Sequence, residues 1–118
     1  GTLKDRAGER IFETTVAGMM EGPVIAFVLE GIEAAELVRK MVGSTEPKSA
    51  LPGTIRGDYS HISYSHANAE GTPIPNVIHA SADAEEAAKE VAHWFSDSEL
   101  YNYENVHEKF TQPRKRKK

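Results

Sequence analysis

The sequence has no cysteine, so no disulfide framework marks it for an oxidising compartment. No apolar run in it approaches the roughly 18 residues needed to cross a bilayer. No secretory leader pattern and no internal repeat is visible. Aromatic residues are sparse, with Trp94 the single tryptophan. These absences point to a cytoplasmic protein without a membrane segment. A chain of 118 residues is one domain at most, with room for a modest core. Its 39% hydrophobic and 27% charged residues are the balance of a soluble globular chain.

Charge is unevenly spread. The net charge is −4, yet Arg114, Lys115, Arg116, Lys117 and Lys118 form a run of five cations. The body before this basic tail, taken as 113–118, is therefore more acidic than the net value suggests. Such a run can contact nucleic acid or phosphate surfaces or act as a targeting signal. The preferred reading is a solvated chain end. An acidic body argues against nucleic acid as the main substrate, because attraction to phosphates dominates such binding.

Along the chain, Ile11, Phe12, Val16, Met19 and Met20 recur at helical spacing over residues 10–20, and Glu21-Gly22-Pro23 stops that helix. Val24 to Leu29 is continuously apolar, the pattern of a strand buried on both faces. A second helix is predicted from about Ile32 to Val42, with Ala34, Leu37, Val38 and Met41 on one side and Gly43 as its cap. Ser44 to Asp58 shows no sustained period and reads as a long functional loop. Tyr59 to Tyr64 reads as a short strand, Ala67 to Pro75 as loop, and Val77-Ile78 as strand. The last helix begins at Asp83, an N-cap with Glu86 three residues on. Ala84, Ala87, Ala88, Val91, Trp94 and Phe95 share one of its faces, with Glu90 at the border of that face.

Two strings carry chemistry: Pro52-Gly53-Thr54-Ile55-Arg56-Gly57-Asp58 and Asn76-Val77-Ile78-His79-Ala80-Ser81. Arginine supplies fixed donors for phosphate oxygens, and glycine lets backbone come close. Histidine can attack phosphorus without first losing a tightly held proton. As pattern alone, Arg-Gly turns are common and a histidine beside apolar residues is often only a packed side chain.

Read together with Gly22-Pro23-Val24, Glu30-Gly31, Arg39, Thr45 and Trp94-Phe95, these strings resemble nucleoside diphosphate kinase, in an archaeal-like form. The resemblance runs from about Ile11 to Tyr103. It implies an α+β fold, a ferredoxin-like βαββαβ sandwich with an antiparallel sheet. Residues 1–112 would form that domain, with an insertion at about 59–75. Val24 to Leu29 wants hydrogen-bonding neighbours that few other segments supply. In the implied fold a strand, a helix and a second strand precede this sequence, bringing a lysine and a tyrosine to the site. The expectation is therefore that the 118 residues are an incomplete record of the chain; a natural or engineered truncation is the competing reading.

The same resemblance implies ping-pong transfer of a γ-phosphoryl group from a nucleoside triphosphate to a nucleoside diphosphate through a phosphohistidine at His79. Glu90 would orient the imidazole, and Ser81 would position the histidine or the acid. Arg39, Thr45 and Arg56 match phosphate ligands, and Asn76 matches the residue bonded to the ribose hydroxyl. Ordinary readings exist for each: solvated charges for Glu90 and Arg39, loop or turn residues for Thr45, Ser81 and Asn76. Magnesium would bridge the phosphates, held by nucleotide and water rather than by protein ligands.

Two departures stand out. The aromatic that usually stacks on the base is replaced by Ile11, or matched by Phe12 if the register slips by one, and a supporting leucine is replaced by Thr15. The segment from Asp58 to Asn76 is longer than in typical members. It contains His61 and His66, but without a third ligand at suitable spacing a surface hairpin or flap is favoured over a metal site. Family members assemble as dimers that build tetramers or hexamers, so a homo-oligomer is implied. The alternative function is an inactive nucleotide- or partner-binding domain of the same fold. Joint retention of His79, Glu90, Arg39, Arg56, Thr45 and Asn76 speaks against it.

Overall fold

The computed structural model describes residues 3–111, apart from the side chains of residues 3–7, 10 and 11 in its first helix. The basic tail lies outside the described residues. Six α-helices follow in order: α1 (Leu3–Met19), α2 (Ala34–Val42), α3 (Ile55–Tyr59), α4 (Tyr64–Glu70), α5 (Ala84–Trp94) and α6 (Glu108–Thr111). Single 3₁₀ turns occupy Pro47–Ser49 and Asp97–Glu99. The chain divides into two compact units. One takes Lys40–His79 with the chain up to Ile25, and the other takes Ala26–Arg39 with the chain from Ala80 onward.

The apolar run Val24–Leu29 does not form the expected strand, and among the described residues there is no strand at all. Its side chains are open to solvent, Ile25 at 91% exposure. A strand needs a partner for its N–H and C=O groups and cover for its apolar faces. No described segment provides either. Tyr59 to Tyr64 is not a strand for a different reason: α3 runs through Tyr59 and α4 begins at Tyr64.

In the first unit, α1 breaks at Gly8 (φ 75°) and then runs to Met19, as the periodicity predicts. Helix α2 ends at Val42, and Gly43 follows with φ +93°, the left-handed conformation of a helix terminator. Burial on α2 falls differently from the predicted stripe. Leu37 and Met41 stay exposed, while Val42 is 2% exposed. Val42, Pro47 and Ala67 are the fully buried apolar side chains of this unit among the described residues. The buried proline opens the 3₁₀ turn that packs on α3.

Ser44 to Asp58 is more ordered than a structureless loop. Thr54 caps α3, its hydroxyl accepting from the Gly57 amide (3.0 Å) while donating to the Leu51 carbonyl (2.6 Å). Asp58 Oδ1 accepts from the Gly53 amide at 2.8 Å, closing the segment on itself. A Cβ on Gly57 would collide with the Leu51 carbonyl, a backbone atom that cannot swing away. Glycine is therefore required at 57 for close approach. The string Pro52–Asp58 is a knot that aims Arg56 inward.

The insertion, read as loop over Ala67–Pro75, begins with helix α4. Ser63 caps it by accepting from the His66 amide at 3.1 Å, and Gly71 ends it at φ 66°. The prolines and glycine that suggested loop act only after Glu70. Pro73 then packs against α1, on the spot where Gly18 has no side chain.

Substitution in the knot tests this account by urea unfolding of the intact protein. Gly57→Ala is expected to destabilise by about 1–3 kcal/mol through the forced backbone shift, and Thr54→Val by about 1 kcal/mol through the lost cap. Unchanged stability in Gly57→Ala would refute the close approach.

Candidate functional site

The expected site residues fall in both units, and each half has its own geometry. In the first, Arg56 is 7% exposed. Its guanidinium donates from Nε to the Asn76 carbonyl (3.3 Å), from Nη1 to Gly43 (3.2 Å) and from Nη2 to Ile78 (2.6 Å). Burying a cation is costly unless its donors are engaged, and this one is ringed by carbonyls. Here the arginine expected at phosphate binds backbone.

The segment it grips is turned tightly. The Asn76 amide donates to the Ile74 carbonyl at 3.0 Å, and the Ile78 amide donates to the Asn76 carbonyl at 2.8 Å. Val77, between the second pair, has φ 73°. This is a γ-turn of positive φ, the rare and strained form. The expectation of strand at Val77-Ile78 is corrected, because the i to i+2 bond bends the chain where a strand would extend it. His79 follows directly and is exposed; Asn76 is half-buried, and Thr45 is exposed in the bend after α2. The side chain of Ile11 lies outside the described residues, while Phe12 is exposed at 36% and Thr15 half-buried.

The second unit holds Ser81, Glu90 and Arg39. Ser81 Oγ donates to Glu90 Oε2 at 2.9 Å, so serine and acid are brought together. Arg39 Nη1 donates to the Ala82 carbonyl at 3.1 Å. Asp83 Oδ1 accepts from the Glu86 amide at 2.8 Å, the predicted N-cap of α5, and the Glu86 carboxylate accepts from the Ala82 amide. Side chains of α2 and α5 thus hold the backbone of Ala82, just after the histidine. Glu90 is half-buried on α5, and its orientation is fixed in part by the Ser81 hydroxyl.

One residue escaped the sequence reading. Glu46 Oε2 accepts from Ser49 Oγ at 2.7 Å, and its Oε1 accepts from the Tyr64 amide at 2.9 Å. The Ser49 hydroxyl, then the Tyr64 amide and the Lys48 charge, hold this carboxyl below the ordinary carboxylate range. Together with the Lys48 amide bonded to the Ile62 carbonyl (3.1 Å), it fastens the insertion to the loop after α2. The spacing of Glu46 and Ser49 around Pro47 was its one visible signal. His61 and His66 are exposed. Among the described residues no three His, Asp or Glu side chains gather as a metal-holding group, and no helix is long and apolar enough to cross a membrane.

Comparison with known proteins places these features in a family. Residues 2–100 match the nucleoside diphosphate kinase family. The chain is 47% identical over 98 residues to a nucleoside diphosphate kinase of Borreliella burgdorferi, covering 83% of this chain and 59% of that one. It is 46% identical over 93 residues to one of Pyrobaculum aerophilum, covering 79% and 51%. A structure described as a transition state mimic of the Borrelia burgdorferi enzyme, with bound vanadate and ADP, superposes at a TM-score of 0.85. That match has 43% identity and covers 92% of this chain and 65% of the other. The Pyrobaculum aerophilum NDP kinase structure superposes at 0.76 with 39% identity, covering 86% and 60%. The chain belongs to the nucleoside diphosphate kinase family and superposes on structures with that family's ferredoxin-like α+β fold. It spans between about half and three-fifths of the length of these two curated relatives.

The Glu46 fastening has a pH signature. Its folded-state value is lowered, so its contribution is present above the unfolded carboxylate value and is lost as the pH falls through the folded one. The protection factor of the Tyr64 amide is expected to be highest at neutral pH and to drop in acid, and Glu46→Gln should flatten that profile. A profile unchanged by the substitution would show that Glu46 does not fasten α4.

Proposed function

We propose that this chain carries the catalytic centre of a nucleoside diphosphate kinase. A nitrogen of the His79 imidazole attacks the γ-phosphorus of a nucleoside triphosphate. The bond to the β–γ bridging oxygen breaks, and the diphosphate departs with that electron pair. An oxygen of a second diphosphate's terminal phosphate then attacks the N-bound phosphorus, and the imidazole leaves neutral. The observation that carries this reading is family membership across residues 2–100, spanning both strings that frame Arg56 and His79.

In this reading Glu90 orients the His79 ring, and Ser81 positions Glu90 through the hydroxyl bond already described. Arg39, Thr45 and Arg56 meet the phosphates, where transfer depends mainly on positioning and charge stabilisation. Asn76 meets the ribose hydroxyl, and Ile11 lies beside the base. A divalent cation, read as Mg2+, neutralises phosphate charge when bound. That cation is read as carried by the nucleotide, with no side chain assigned as its ligand. Residues 1–112 are read as the kinase domain, of the antiparallel βαββαβ class, with its insertion at about 59–75. A dimer-based tetramer or hexamer in the cytoplasm completes the proposal.

The test is brief exposure of the intact protein to ATP and magnesium, followed by GDP. One acid-labile phosphoryl group per chain should form and pass to GDP. His79→Ala should abolish both steps while the protein stays folded, and Glu90→Gln should slow the first by about tenfold or more. Normal turnover in His79→Ala would overturn the mechanism, and a wild-type protein that accepts no phosphoryl group would favour a binding domain without turnover.

A further inference from the structure

We infer that Arg56 is a positioning residue, a clamp that holds the strained turn at Val77 and so fixes the backbone from which His79 projects. The inference rests on the reading of His79 as phosphoryl acceptor and assigns Arg56 a task beyond any contact with phosphate.

A β-branched residue at φ 73° is an outlier, because its Cβ crowds the neighbouring carbonyl. Such strain persists only where the surroundings over-determine it. The turn's own bond, from the Ile78 amide to the Asn76 carbonyl, closes a three-residue ring but does not reward the bend enough to keep valine there. The guanidinium supplies the remainder. Its Nε and Nη2 reach the carbonyls on either side of Val77, those of Asn76 and Ile78, so the strained residue is bracketed by two charge-assisted bonds.

The bracket has a direct consequence for the histidine. The Ile78 carbonyl belongs to the peptide plane that ends at the His79 Cα. Fixing that oxygen at 2.6 Å from Nη2 fixes the plane and hence the Cα position of His79. The clamp is itself anchored. Nη1 holds the Gly43 carbonyl, and the Thr54 cap and close approach at Gly57 set the α3 backbone that carries Arg56. A lysine would keep the charge but not the planar fork needed to reach three carbonyls.

The two tasks of Arg56 separate in a double-mutant cycle on the intact protein: wild type, Arg56→Lys, Val77→Gly, and both together. Glycine accepts positive φ without strain, so the turn should survive in the double variant even with the clamp weakened. At saturating ATP, single-turnover phosphorylation of His79 should be slowed in Arg56→Lys. The double variant should be faster than Arg56→Lys by at least about fivefold, the scale set by releasing one strained backbone position. If Arg56 acted only on phosphate, the double variant would be no faster than Arg56→Lys, which would overturn the inference.

A nucleotide-free readout accompanies the cycle. The His79 ring resonances should move in Arg56→Lys and return toward their wild-type positions in the double variant; an unmoved His79 signal would also refute the clamp. Should Arg56→Lys fail to fold, recovery of folded protein on adding Val77→Gly is the readout, and failure to recover counts against the inference. Absence of phosphorylation in the wild type would instead overturn the functional reading, leaving the ring resonances to decide the clamp.

Discussion

The first unit depends on one buried cation. Two segments far apart in sequence, the end of α2 at Gly43 and the turn flanking Val77, turn three carbonyl oxygens toward the Arg56 guanidinium. A guanidinium away from water is tolerable only when its N–H groups find acceptors. The carbonyls in turn lie where no helix or sheet ladder satisfies them. Each side of the contact removes the other's penalty, so neither arrangement would persist alone. Removing the arginine would take this donor from the Gly43 and Ile78 carbonyls, a loss of about 1–3 kcal/mol for each group left unsatisfied, while the Asn76 carbonyl would keep the Ile78 amide. Helix α3 is only Ile55–Tyr59, too short to be stable by propensity. It exists because its cap, its glycine and its inward arginine are all engaged.

The second unit reaches a similar result with different groups. Arg39 holds the Ala82 carbonyl, Glu86 holds the Ala82 amide, and Ser81 is tied to Glu90. Backbone on both sides of the Ile78–Ala80 segment is thus held by side chains rather than by regular secondary structure. For the proposed phosphoryl transfer this matters. An attacking nitrogen misplaced by about 1 Å can lose about a hundredfold in rate, and loops held only by their own turns are the least rigid elements of a domain. Arginine is suited to the task because its donors are fixed in a plane.

Much of this was legible in the sequence, and the failures have physical causes. The cap of α5 was readable because Asp83 and Glu86 interact locally at fixed spacing. The strings around Arg56 and His79 were readable as chemistry, but the partners of Arg56 were not. Bonds to backbone carbonyls use atoms every residue has, so they leave no pattern of side chains. Helix α4 was missed because Gly71, Pro73 and Pro75 dominated the segment, although Ser63 was in place as its cap. The turn at Val77 carries no glycine to announce it. The apolar run Val24–Leu29 reads as a buried strand, but no described segment pairs with it or covers it, and its side chains stay exposed. Period and composition reveal what a segment wants to bury, while contact alone tells what buries it.

The choice of valine at 77 follows from the same logic. Glycine would enter a positive-φ turn freely, but it would also leave the turn freely and admit many other backbone states. Valine is stiff at χ1 and excludes most of those alternatives. The one state it occupies here is disfavoured by about 1–3 kcal/mol. Two hydrogen bonds from a charged donor, each worth about 1.5–3 kcal/mol net, outweigh that strain. A clamped valine is therefore more narrowly placed than an unclamped glycine would be, and loss of one donor would bring bond and strain close to balance. The position of the histidine is thus set by a strained residue and the cation that opposes its relaxation. In such a pair the strain is useful, because it leaves the turn a single conformation while the clamp is closed.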